Sequence, residues 1–139
     1  MTAPRRVLFL CTHNSARSQM AEGLLRELGG PDYEVFSAGT VKTAVRPEAV
    51  AVMSEIDIDI SGQTSKTLDQ FLEECFDEVI TVCDTANDAC PVFPGAVSRR
   101  HWSIPDPSLV DGSADNRINA FRSVRDELRV RIQETFFAD

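Results

Sequence analysis

Eight residues near the start of the chain, Cys11-Thr12-His13-Asn14-Ser15-Ala16-Arg17-Ser18, combine one nucleophile with one permanent cation and a set of small polar neighbours. They follow a short apolar run, Arg6 to Leu10, and precede residues whose apolar members Met20, Leu24, Leu25 and Leu28 recur at helical spacing. A turn between a strand and a helix start gathers backbone N–H groups and the positive end of a helix dipole around one point, which suits an oxyanion. Residues Thr12 to Arg17 would form that cradle, with the Arg17 guanidinium gripping a tetrahedral oxyanion through two parallel donors. The same positive field favours a thiolate on Cys11, which can attack without a separate base. Ser18 can donate a hydrogen bond to it. A Cys followed six residues later by an Arg also arises by accident, and a free cysteine at a strand end is often only a small buried hydrophobe. The polar company of Cys11 favours chemistry.

Three further cysteines divide by context. Cys83 follows the apolar segment Glu78 to Val82, and Cys90 lies seven residues later in a polar stretch, Asp84 to Gly95, read as a long exposed loop. Core packing is an alternative for Cys83 and fits Cys90 poorly. Cys75 continues the stripe Leu68, Phe71, Leu72 and is expected in the core. No Cys-x-x-Cys occurs and neither His13 nor His101 sits in a metal-pair context, so no metal site is expected. Asp106, before Pro107, suits either a general acid or a turn former, and the residues alone leave both open.

These residues need a scaffold. Strands are expected at Arg6–Leu10, Tyr33–Ser37, Glu78–Val82 and Val97–His101. Helices should follow the Cys11 turn up to Gly29-Gly30, begin again at Pro47 with Val50, Met53 and Ile56 on the apolar face, and close the chain through Ile118, Phe121, Val124, Leu128 and Ile132. Such alternation predicts an α/β fold, one three-layer domain over residues 1–139 with a small, mostly parallel four-stranded sheet flanked by helices. In a parallel sheet, ligands bind beyond the carboxyl ends of the strands, where Cys11 falls.

Composition narrows the function. The 14 basic and 22 acidic residues leave a net charge of -8, which argues against nucleic-acid binding. It also means that an anion must be held by local donors that override the average field, helped by screening beyond roughly 8 Å at physiological salt. The apolar run Val7–Leu10 is too short for a signal peptide or a membrane span, so a cytoplasmic, thiol-reducing setting is expected.

The segment LFLCTHNSARSQMAEGLL resembles the nucleophile loop and first helix of the thioredoxin-linked arsenate reductases, which share the fold of the low-molecular-weight tyrosine phosphatases. The resemblance continues through FSAGT (Phe36 to Thr40), DISGQTS (Asp59 to Ser65), ITVCDTANDACP (Ile80 to Pro91) and HWSIPDP (His101 to Pro107) into the last helix. It implies that Cys11 attacks arsenate, Cys83 then attacks the Cys11 sulfur and releases arsenite, and Cys90 moves the disulfide to Cys83–Cys90 for thioredoxin. It assigns Asp106 as the general acid. It also marks departures: Ala16 stands where relatives often have a cysteine, and His13 where they often have glycine. Asn14, Glu22 and Ser37 match three positions of a potassium site found in some relatives, but the fourth, an aspartate, is Lys66 here. Its ammonium can take the cation's place, so potassium and tightly bound cofactors are not expected. Two rival readings remain: a phosphatase using Cys11, Arg17 and Asp106, for which aromatic residues suited to phosphotyrosine are not evident near Ser108 and Leu109, and a thiol redox sensor using Cys83 and Cys90.

Overall fold

The computed structural model describes residues 3–83 and 95–137. Strand β1 (Arg5–Cys11) carries five consecutive buried residues, Val7 to Cys11, the pattern of a central strand covered on both faces. Strands β2 (Tyr33–Gly39) and β3 (Phe76–Thr81) flank it, and β4 (Ala96–His101) lies outside β3. The order is β2-β1-β3-β4 and every pairing is parallel.

The pleat sorts β1 into two cores. Val7, Phe9 and Cys11 face helices α1 (Arg17–Gly29), α2 (Pro47–Ser54) and α3 (Ala114–Ile132), packing with Met20, Met53 and Phe121 among others. Leu8 and Leu10 face the other way, onto Ala38, Val79, Phe71 and Phe76. There the third layer is thin: a 3-10 turn, Leu68–Phe71, brings Phe71 against Phe36 and Phe76 with ring centroids 5.6 and 5.9 Å away. Helix α3 begins as its composition directs, with the Ser113 hydroxyl accepting from the Asn116 N–H at 3.2 Å.

The apolar stripe ending at Cys75 does not lie as its spacing predicts. Cys75 is exposed, not in the core. The stripe that suggested burial is not a helix but the short 3-10 turn, and Leu72 is 47% exposed beyond it. Phe76 opens β3 and takes the inner position, which leaves Cys75 outside with its carbonyl accepting from Arg6 Nη1 at 2.8 Å.

The chain passes from β1 to β2 on one side and later to β3 on the other, so the direction of winding reverses at β1. In open parallel sheets that reversal opens a crevice at the carboxyl ends of the two diverging strands. Cys11 ends β1, and Cys83 stands just past β3. Among the described residues, no helix is long and apolar enough to cross a membrane.

Candidate functional site

Cys11 is 2% exposed; its sulfur accepts the Asn14 backbone N–H at 3.2 Å and lies 2.8 Å from Ser18 Oγ. Asn14 organises the surroundings of that last bond. The Lys66 backbone N–H and the Gln19 side-chain amide both donate to Asn14 Oδ1, at 2.7 and 2.9 Å, which fixes the orientation of the Asn14 amide. Its Nδ2 therefore donates to Ser18 Oγ at 2.8 Å and to Ser37 Oγ at 3.0 Å. Ser18 thus accepts from Asn14, and its own hydroxyl proton is available to the Cys11 sulfur 2.8 Å away. Asn14 sits at φ 49°, a left-handed conformation that asparagine tolerates better than most residues.

Charge lies beneath this chain of dipoles. Ser37 donates to Glu22 Oε1, and the buried Glu22 carboxylate also meets Arg26 Nη2 and, at 3.9 Å, Lys66 Nζ. Burial pulls the Lys66 ammonium below its ordinary pKa, against the opposing attraction of Glu22. The three residues matching the potassium-site positions, Asn14, Glu22 and Ser37, are thus gathered with Lys66 in one cluster.

A glycine buttresses the loop from β2. A Cβ on Gly39 would stand 2.7 Å from Thr12 O, 2.9 Å from Asn14 N and 3.0 Å from Cys11 O, so backbone would have to move. The following N–H groups, of Thr40 and Val41, donate to Thr12 O at 2.9 and 3.0 Å. On the far side Arg46 N–H donates to Ser15 O at 2.8 Å, while Thr43 Oγ1 donates to His13 O at 2.9 Å. Ala16 is buried and the His13 side chain exposed. Among the described residues, the Thr12 hydroxyl is the one buried side-chain oxygen or nitrogen without a hydrogen bond.

Arg17 opens α1 and is 3% exposed; its Nη1 donates to Ile104 O at 3.0 Å and its Nη2 lies 3.6 Å from Asp106 Oδ2. A cleft of about 410 Å³ begins here, lined by His13, Ser15, Thr43, Arg46, Asp106 and Ser108 among others. Cys83 is fully buried; Val82 N–H continues the ladder to Leu10 O at 2.8 Å, and Ile104 N–H reaches Cys83 O at 3.3 Å. Since Leu10 pairs with Thr81, Cys83 lies one residue beyond the level of Cys11 on the neighbouring strand path. Cys90 falls outside the described residues. Among the described residues, no group of three or more His, Cys, Asp or Glu side chains could hold a metal.

Several participants had no signal in the sequence. Gln63 Nε2 donates to Gln19 O and Oε1 at 3.0 and 2.8 Å, and so holds the amide that orients Asn14. Gly39 had a weak signal, a glycine ending an apolar strand segment, but its contact with the loop depends on strand pairing across the sheet.

The comparisons with known proteins agree with this geometry. The low molecular weight phosphotyrosine protein phosphatase family matches residues 6–138, and the chain belongs to that family. Within it, the chain is 46% identical over 127 residues to an arsenate reductase of Halalkalibacterium halodurans, covering 91% of each protein. It superposes with TM-score 0.80 on an arsenate reductase solved in a phosphate-binding state, at 35% identity over 94% of this chain and 95% of the other. A Corynebacterium glutamicum thioredoxin-dependent arsenate reductase gives a TM-score of 0.66 at 30% identity, covering 97% of this chain and 65% of its own.

Proposed function

We propose that this protein is an arsenate reductase working through Cys11, Cys83 and Cys90 with thioredoxin as reductant. The Cys11 thiolate attacks arsenic in the cradle of Thr12, His13, Asn14, Ser15, Ala16 and Arg17, and an arsenate oxygen leaves as water with a proton from Asp106. The Cys83 thiolate then attacks the Cys11 sulfur. A sulfur–sulfur bond forms, the sulfur–arsenic electron pair stays on arsenic, and arsenite departs reduced by two electrons. Cys90 attacks Cys83, freeing Cys11 and leaving a Cys83–Cys90 disulfide for thioredoxin. Ser18 stabilises the Cys11 thiolate before it attacks arsenic and again when Cys90 frees it from Cys83. Lys66 supplies the positive charge that potassium provides in some relatives, and the free thiols suit a cytoplasmic setting.

The observation that carries this reading is the placement of two buried cysteines at the carboxyl ends of adjacent strand paths, one of them inside an oxyanion loop. A phosphatase needs only the first. The experiment is one addition of arsenate to Cys90→Ser, followed by mass spectrometry. One equivalent of arsenite and a trapped Cys11–Cys83 disulfide are expected, with multiple turnover lost even with thioredoxin, its reductase and NADPH. An untouched Cys83 with phosphomonoester hydrolysis intact would favour the phosphatase instead.

A further inference from the structure

We infer that Ser108 is a positioning residue for the acid, one that selects which oxygen of Asp106 carries the proton; the inference rests on the reading of Asp106 as the acid. The two carboxylate oxygens have different surroundings. Oδ1 accepts the Ser108 backbone N–H at 2.9 Å and the Ser108 hydroxyl at 2.6 Å. Oδ2 lies 3.6 Å from Arg17 Nη2, and Asp106 lines the cleft together with His13 and Ser15 of the oxyanion loop.

A proton on Oδ1 would confront a backbone N–H that cannot turn away. Oδ2 has the longer 3.6 Å contact to the Arg17 guanidinium, which would turn to the substrate oxyanion and leave Oδ2 able to carry the proton. Two donors on Oδ1 therefore leave Oδ2 as the oxygen that delivers the proton, and they fix the plane of the carboxyl group. The backbone half of this clamp is available to any residue after Asp-Pro, because Asp106 caps the short turn Pro107–Leu109 in the usual way. The hydroxyl half is specific to Ser108. Pro107 contributes by restricting the backbone between the two residues.

The test is a double-mutant cycle read in single-turnover arsenite formation, with Ser108→Ala and Ser108→Thr each made in the parent and in Asp106→Ala. Ser108→Ala should slow the parent about tenfold, the loss of one charge-assisted hydrogen bond, without changing the arsenate concentration for half-maximal rate. Ser108→Thr should restore most of the rate. In Asp106→Ala, already slow, Ser108→Ala should cost nothing more. An equal loss in both backgrounds would make Ser108 a structural part of the cleft wall and overturn the inference, as would an unchanged rate in the parent. If Asp106→Ala itself keeps the parental rate, the acid assignment fails first and Ser108 falls with it.

Discussion

Glu22 and Glu55 are two of the carboxylates held by a pair of cations, and they differ in nearly everything else. Glu22 lies on α1 beneath the Cys11 loop, 5% exposed, between Lys66, Arg26 and the Ser37 hydroxyl. Glu55 follows α2 at the surface, clasped by Arg122 Nε at 3.0 and 3.1 Å and by Arg125 Nη1 at 2.8 Å, which ties α2 to α3. The Glu55 carboxylate, 37% exposed, keeps much of its hydration and gains little from its partners. Burying the Glu22 carboxylate costs on the order of several kcal/mol for that ion, even with the half-exposed Arg26 beside it, so packing alone does not account for it. What Glu22 does with that cost is visible: it anchors Ser37, which with Ser18 receives the Asn14 amide, and Ser18 is hydrogen-bonded to the Cys11 sulfur. The buried carboxylate orients dipoles toward one sulfur; the exposed carboxylate fastens two helices.

The strongest way to break that contrast is at the sulfur. Cys11→Ser should abolish arsenite formation, since an alcohol there is not ionised near neutral pH, while a thermal melt shows the fold intact. Turnover by this variant would leave the whole buried chain without a purpose. Next in size is Gly39→Ala. Its methyl meets three backbone atoms of the loop within 3.0 Å, and a displacement approaching 1 Å can cost roughly a hundredfold in rate. Gly62→Ala, with nothing within 4 Å of its new methyl, is the control and should leave activity unchanged. Equal behaviour of the two variants would mean that the loop tolerates what the geometry forbids.

The legible and illegible parts of the molecule follow the same division. Cys11, Arg17 and Ser18 were legible because a strand, a turn and a helix start lie together in the chain, and local order places them. The parallel sheet was legible from apolar runs alternating with helical stripes. Cys75 was misplaced because an apolar spacing of three and four also fits a single 3-10 turn, and only the start of β3 at Phe76 decides which side faces in. The Gln63–Gln19–Asn14 chain was invisible for another reason. Amides at separations of 44 and 5 residues meet only after α1 packs beside the Ile60–Lys66 segment, and no local rule encodes that. Ser108 was legible only as a residue that disfavours phosphotyrosine, not as a partner of Asp106.

Lys66 sharpens the comparison, because it is the cation whose role separates the buried cluster from the surface one. Lys66→Asp should make stability depend on potassium, with the new carboxylate joining Asn14, Glu22 and Ser37 around the ion. A ligand bound only by the folded state adds about 2.7 kcal/mol at a hundredfold excess over its dissociation constant. The melting temperature of the variant should therefore rise with potassium chloride and not with sodium chloride at equal ionic strength, and the parent should respond to neither. An equal response of the variant to both salts would place Lys66 among the ordinary surface charges.

The smallest expected effect lies at the surface clasp, and its sign is set by proton linkage. Hydrogen bonds from Arg122 and then Arg125 hold the Glu55 carboxyl down at about 2, from an ordinary value of 4.5. A carboxyl depressed in the folded state binds fewer protons there than when unfolded, so its contribution is present above the unfolded value and fades as pH falls toward the folded one. Glu55→Gln removes the charge at every pH. The variant should thus be slightly less stable than the parent in denaturant titrations at pH 7, and the gap should narrow between pH 5 and pH 2 as the carboxyl is protonated in the unfolded chain before the folded one. Arsenite formation at pH 7 should be unchanged, because Glu55 touches α3 and not the loop. A gap that stays constant down to pH 2 would show that the side chain acts through packing and not charge. A loss of activity at pH 7 would erase the line between the two carboxylates, since the clasp would then be holding the wall of the cleft, Arg46 and Pro47, through α2.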